Sequence, residues 1–153
     1  MNEDFLDMLR ALQGAGARFL IVGAHALAGH GIPRGTGDLD IWVEATADNA
    51  ARVWQALLDF GVPVQALGIR QQDFTARGVV IQVGLPPRRI DLLTSLTGLE
   101  FDGAWTTHVT VTVSGIALPL LGRDSLLENK RMLGRPQDLA DVDALLRQGP
   151  DAN

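Results

Sequence analysis

Three aspartates carry the most pointed chemistry in this sequence. Asp38 and Asp40 stand two residues apart in Asp38-Leu39-Asp40-Ile41-Trp42-Val43-Glu44, and Asp91 stands in Arg89-Ile90-Asp91-Leu92. In an extended chain, residues i and i+2 share a face about 7 Å apart, so both carboxylates of the first segment point the same way. A second strand alongside would bring Asp91 to the same spot. Like charges that close repel, so either their pKa values rise or a divalent cation neutralises them. Oxygen-only ligands favour Mg2+ or Mn2+ over zinc, and such ions share their shell with water and substrate phosphate oxygens. A nucleoside triphosphate would complete that shell. Asp-x-Asp alone is more often the pattern of a solvated strand edge, and its neighbours are what favour the site. Gly23 and Ala24 fall where a buried strand feeds a helix, which turns bare backbone N–H groups toward an anion. Arg34 and Thr36, in the adjoining glycine-rich loop, add a fixed charge and a hydroxyl donor.

Those residues need a scaffold, and the hydrophobic pattern predicts one. Phe5, Met8, Leu9 and Leu12 form the stripe of a first helix that Gly14 and Gly16 stop. The run Phe19-Leu20-Ile21-Val22 reads as a strand covered on both faces, followed by a helix from Ala24 to Ala28 and a loop from Gly29 to Gly37. The next strand starts at Asp38, with Leu39, Ile41 and Val43 on its apolar face. Thr46 caps a helix with the stripe Ala50, Val53, Trp54, Leu57 and Leu58, ended by Gly61 and Pro63. Val79 to Val83 and Arg89 to Leu92 form a hairpin, and a second joins Val109-Thr-Val-Thr-Val113 to Ile116-Ala-Leu118 through Ser114-Gly115. Asp124 caps a helix running to Leu133. Pro136 opens a last helix with Leu139, Val142 and Leu146 on one face, and 149–153 forms a frayed tail. The fold class is therefore α/β: a small mixed sheet with packed helices and a C-terminal helical pair, one domain over 1–148.

Several function classes drop out on composition. The chain has 153 residues, 46% apolar and 20% charged, with 13 Lys+Arg against 18 Asp+Glu and a net charge of −5. That balance supports a folded core and argues against a protein that coats nucleic acid. Without cysteine there is no disulfide, thiolate nucleophile or thiolate zinc site, and a cytoplasmic location is expected. The acidic start is unlike a targeting segment, and the run Phe19 to Ile32 is too short to span a bilayer, so no membrane partner is expected. His25, His30 and His108 lack zinc spacing and read as structural. Arg88 and Arg89 read as solvated strand-edge arginines, and Trp42, Trp54 and Trp105 as core. P-loop, serine-hydrolase and zincin signatures are absent from the sequence.

Taken together, the motifs resemble the minimal nucleotidyltransferases of the DNA polymerase beta-like superfamily. Gly23-Ala24 stands at that family's Gly-Gly or Gly-Ser turn, His30-Gly31-x-x-Arg34-x-Thr36-x-Asp38-Leu39-Asp40 matches its metal-binding stretch, and Ile90-Asp91-Leu92 its third-aspartate strand. Lys130-Arg131-x-x-Gly134-Arg135-Pro136-x-Asp138-Leu139 resembles a segment of nucleotidyltransferase-like proteins in abortive-infection and toxin-antitoxin systems. The likeness covers about residues 5 to 147. It implies a transferase that moves a nucleoside monophosphate from a nucleotide, ATP foremost, to a hydroxyl of RNA, protein or a small molecule. It implies Asp38, Asp40 and Asp91 as catalytic ligands of Mg2+ or Mn2+, with Gly23, Ala24, Arg34, Thr36, Lys130 and Asp138 on the nucleotide. The acceptor would be recognised across a homodimer or supplied by a paired toxin or antitoxin. Ala24 departs from the Gly-Ser form and loses a hydroxyl donor. This keeps open a catalytically weak interaction module or antitoxin; a small metal-dependent phosphohydrolase is the third reading. For Lys130 and Asp138 the alternatives are a solvated helix lysine and a first-turn carboxylate favoured by the helix dipole.

Overall fold

A computed structural model describes residues 1–35 and 37–149. Thr36 and the tail from residue 150 lie outside the described residues, so the expectations placed on them stand without a structural counterpart. The architecture is the expected α/β: a six-stranded mixed sheet with helices on both faces.

The chain opens with α1 (Glu3–Gly14), capped by the Asn2 side chain accepting from the Phe5 N–H at 2.9 Å. Strand β1 (Phe19–Val22) is buried throughout and runs into the short helix α2 (Gly23–Gly29). Strand β2 (Leu39–Val43) lies antiparallel to β1, pairing Val22 with Asp40. Helix α3 (Ala47–Phe60) starts at Thr46, whose hydroxyl accepts from the Asn49 N–H. A 3-10 turn (Gln71–Thr75) follows, then β3 (Val80–Val83) and β4 (Ile90–Leu93) as an antiparallel hairpin. Helix α4 (Phe101–Thr106) precedes the hairpin β5 (Val109–Val113) and β6 (Ile116–Leu120). Ser114 and Gly115 both take positive φ, 51° and 79°, as a two-residue hairpin turn with right-handed strand twist requires. The chain ends with α5 (Arg123–Leu133) and α6 (Pro136–Gln148) packed as a pair. The strand order is β3-β4-β2-β1-β6-β5, and β4 runs parallel to β2.

Alternation along the central strands divides the interior in two. Phe19, Ile21, Leu39, Ile41, Val43, Ile90 and Leu92 face α1 and α3. Leu20, Val22 and Trp42 face α4, α5 and α6. Asp40 and Asp91 alternate onto this second face, at its open end.

Three details differ from the sequence expectations. Gly122, not Asp124, occupies the N-cap of α5, leaving Asp124 in the first turn where the dipole favours it. Leu58 is 45% exposed, because the α3 stripe turns away there. In α6, Leu139 and Leu146 point outward at 51% and 49% exposure, and the buried face is Asp138, Asp141, Val142 and Leu145. Those four stand at i, i+3, i+4 and i+7, a perfect helical stripe whose first half is acidic. The structure adds two elements that no apolar run announced, the 3-10 turn and α4. It also adds Asn49, whose side chain accepts from the Arg18 N–H at 2.7 Å and donates to the Arg18 and Glu44 carbonyls.

The orientation of α6 is checked by urea unfolding. Leu145→Ala should cost about 2–5 kcal/mol, as for other buried leucines, whereas Leu139→Lys should stay within about 0.5 kcal/mol. The reverse ranking would mean the helix is rotated.

Candidate functional site

Sheet register assembles the acidic cluster. Parallel pairing sets Asp40 of β2 directly beside Asp91 of β4, and Asp38 precedes β2 on the same side. The neighbouring chain makes room for them. A Cβ on Gly23 would lie 2.4 Å from Asp40 Oδ2, and Gly23 has a φ of +68°, so only glycine fits this turn beneath the carboxylate.

The electrostatics follow from that crowding. Burial, then the Asp91 and Asp38 charges, push the Asp40 carboxyl up to about 6, and Arg89 only partly opposes the rise. Arg89 is the residue that sequence reasoning placed on a solvated edge. It instead sits inside the cluster, donating from Nη2 to Asp38 Oδ2 at 2.6 Å and to Asp91 Oδ2 at 3.3 Å, with Nε 3.1 Å from Asp91 Oδ1. The signal was available: Arg89 and Asp91 are two apart in one extended segment, so they share a face. Arg88, on the opposite side, pairs with Asp4.

From Asp40 a cleft of about 440 Å³ extends along Gly23, Ala24, Leu93 and Leu96 to Lys130 and Arg135. Its floor at Asp40 is acidic and its far wall carries Arg34, Lys130 and Arg135. The far wall is held by α6. Asp138 is fully buried, and accepts from the Arg135 N–H and from its Nε at 2.6 Å, so that backbone and side chain of Arg135 both donate to it at the helix start. The Arg135 guanidinium, more than any other group, holds the Asp138 carboxyl below the usual range. Lys130 is 7% exposed, with Nζ 3.4 Å from Asp138 and 3.1 Å from Asp141. Arg34 closes on Asp141 from the loop after α2. Lys130 is thus a buried counterion rather than a solvated helix lysine.

The expected site residues therefore fall into three groups. Asp38, Asp40 and Asp91 converge, and of these Asp40 lines the cleft together with Gly23, Ala24, Arg34 and Lys130. Asp138 is behind the wall, with no surface of its own on the cleft. Thr36 lies outside the described residues. The histidines are placed structurally: His30 Nε2 hydrogen-bonds the Leu121 carbonyl at 2.8 Å, His108 Nδ1 the Trp105 carbonyl, and His25 packs edge-on against Phe5. Burial lowers the His25 pKa. Among the described residues, no three carboxylates or imidazoles stand as a group ready to hold a metal ion, and none of their helices is long and apolar enough to cross a membrane.

The donor set nevertheless fits a hard divalent cation. It consists of acceptor-only oxygens, Asp91 Oδ1 is buried without a hydrogen-bond partner, and Asp40 is raised by excess negative charge. No family model matches the sequence, and no curated protein matches it significantly.

Two outcomes are expected. The folded Asp40 pKa of about 6 exceeds the unfolded value of about 3.9, so the folded state binds this proton more tightly. Its stabilisation is complete below the unfolded pKa and is lost as pH rises through about 6. In metal-free buffer, Tm should therefore fall from pH 4 to 7 more steeply for the native chain than for Asp40→Asn; parallel profiles would contradict this. Lys130→Ala removes one cationic partner from two buried carboxylates, leaving Arg135 and Arg34, and should cost about 3 kcal/mol in urea unfolding, against little if this lysine were solvated.

Proposed function

We propose that the protein is a divalent-metal-dependent nucleotidyltransferase, moving a nucleoside monophosphate from a nucleoside triphosphate, ATP foremost, to an acceptor hydroxyl. The single observation that carries this reading is the pairing of Asp40 with Asp91 across β2 and β4, where Asp40 opens onto a cleft whose far side carries Arg34, Lys130 and Arg135 together with Asp141. One acidic end and one basic end suit a substrate that brings its own phosphates and a metal ion. A cleft of about 440 Å³ is within the range of small-ligand sites.

In this reading Asp38, Asp40 and Asp91 hold the metal. A metal ion held there would supply neutralisation of phosphate charge and polarisation of the attacking hydroxyl. The chain supplies position and charge. Gly23 and Ala24 let phosphate oxygens approach the backbone, and Arg34 and Arg135 border the path of the triphosphate. Lys130, fixed between Asp138 and Asp141, borders the cleft and holds α5 against α6 behind the two arginines. The acceptor oxygen attacks the α-phosphorus and the bond to the pyrophosphate oxygen breaks. The hydroxyl proton passes to a carboxylate of the cluster. The acceptor is RNA, a protein or a small molecule, recognised across a homodimer or brought by a paired toxin or antitoxin.

A second reading, an interaction module or antitoxin without turnover, is favoured by Ala24, which offers no hydroxyl, and by Arg89, which already pairs with two of the three aspartates. Incubation with Mg2+, α-labelled triphosphates and lysate separates the readings. Transfer predicts labelled acceptor and pyrophosphate, with Asp40→Asn lowering the rate at least about 100-fold while its far-UV spectrum stays native. Free nucleotide without labelled acceptor would point to a phosphohydrolase. No turnover with a stably co-purifying protein would point to the interaction module. A full rate for Asp40→Asn would contradict the transferase mechanism.

A further inference from the structure

We propose that Arg89 is a resident counterion of the acidic cluster, which a divalent cation must displace before it can bind. The inference deepens the transferase reading and rests on it, since it takes the cluster to be a cation site.

The geometry is that of a cation already in place. The guanidinium spans the gap between two strands, 2.6 Å from Asp38 Oδ2 and 3.1 Å from Asp91 Oδ1, and so touches two of the three carboxylates. A planar fork of N–H donors matches carboxylate oxygens closely and remains charged at any working pH. Magnesium takes oxygen ligands at about 2.0–2.1 Å in near-ideal octahedral geometry. Both cations on the same oxygens would repel strongly, in a site where Asp91 is 8% exposed and water screens little.

Two features make the arrangement a switch and not a fixed pair. Arg89 lies just before β4, with its side chain 30% exposed, so it has solvent to move into. Its pairing is also incomplete. The Arg89 Nε and Asp91 Oδ1 are both buried, yet their 3.1 Å approach lacks hydrogen-bond geometry, so the aspartate retains an unmet acceptor. Asp40, the third carboxylate, stands beside Asp91 in register and has no ion pair with Arg89. A metal ion carrying a triphosphate would satisfy these acceptors and offer the displaced guanidinium new oxygens on the phosphates. Cation and nucleotide binding would then be coupled: each favours the state in which Arg89 has left the cluster.

The test uses Mn2+ as the probe and the full chain, with free Mn2+ read by electron paramagnetic resonance. Arg89→Gln should bind Mn2+ at least about tenfold more tightly than the native chain, and Asp40→Asn in that background should abolish the gain. Arg88→Gln removes the same charge one residue away and should change affinity less than about twofold. Saturating non-hydrolysable triphosphate should tighten Mn2+ binding to the native chain far more than to Arg89→Gln. Equal affinity of the native chain and Arg89→Gln would overturn the role of Arg89 and leave the cation site standing. Absence of Mn2+ binding in either would overturn both. Should Arg89→Gln fail to fold, the Nε–H resonance of Arg89 in the native chain reports instead. It should shift on addition of Mg2+, and a signal unmoved at saturation would refute the displacement.

Discussion

Mutual repulsion of carboxylates on one sheet face is the constraint around which this molecule is arranged. Strand alternation gives β2 and β4 an apolar side, Leu39, Ile41, Ile90 and Leu92, that packs under α1 and α3. The same alternation forces Asp40 and Asp91 onto the other side, next to the interior formed by Trp42, Leu20 and α5. Aspartates paired directly across neighbouring strands are unfavourable without a cation. Arg89 supplies one, and the raised Asp40 carboxyl is the part of the repulsion it leaves unrelieved.

The second charge problem lies across the cleft, where α6 buries Asp138 and Asp141 against Lys130. Such clusters add little net stability over an apolar core, because desolvation offsets most of the attraction. They do fix geometry. The Arg135 cap on Asp138, the Lys130 bridge and the Arg34 contact with Asp141 lock the α5–α6 pair and the loop after α2 to a common point. The cationic wall of the cleft is thereby held at a set position relative to the aspartates, and it does so without presenting free ammonium groups to solvent. Both sides of the cleft use the same device: a charge kept inside the protein by a partner that is itself part of the site.

Much of this was legible in the sequence because it depends on period. The stripe Phe5, Met8, Leu9 and Leu12 and the alternation Leu39, Ile41 and Val43 report burial directly, and all seven are buried. The convergence of Asp38, Asp40 and Asp91 was readable for the same reason, once β2 and β4 were taken as neighbours. The α6 face was not. An apolar stripe through Leu139, Val142 and Leu146 is a good reading of the letters, but the helix turns to pair Asp138 and Asp141 with Lys130, and the two leucines go outward. Charge pairing at a distance of eight or more residues leaves no periodic trace. Arg89 was misread because flanking charges on a strand usually face water, whereas it meets Asp91 of its own segment and Asp38 at the start of an adjacent one. Asn49 bonds to backbone groups that no sequence pattern predicts.

The proposed transfer requires the aspartates to form a place for a metal ion once Arg89 has moved. Crystals of the native chain grown with Mn2+ and a non-hydrolysable triphosphate would show this most directly through anomalous difference density. The expected result is a peak among the Asp38, Asp40 and Asp91 carboxylates, with phosphates running toward Lys130 and the Arg89 guanidinium turned out of the cluster. Saturated nucleotide density with no peak there, and Arg89 still joined to Asp38 and Asp91, would contradict it.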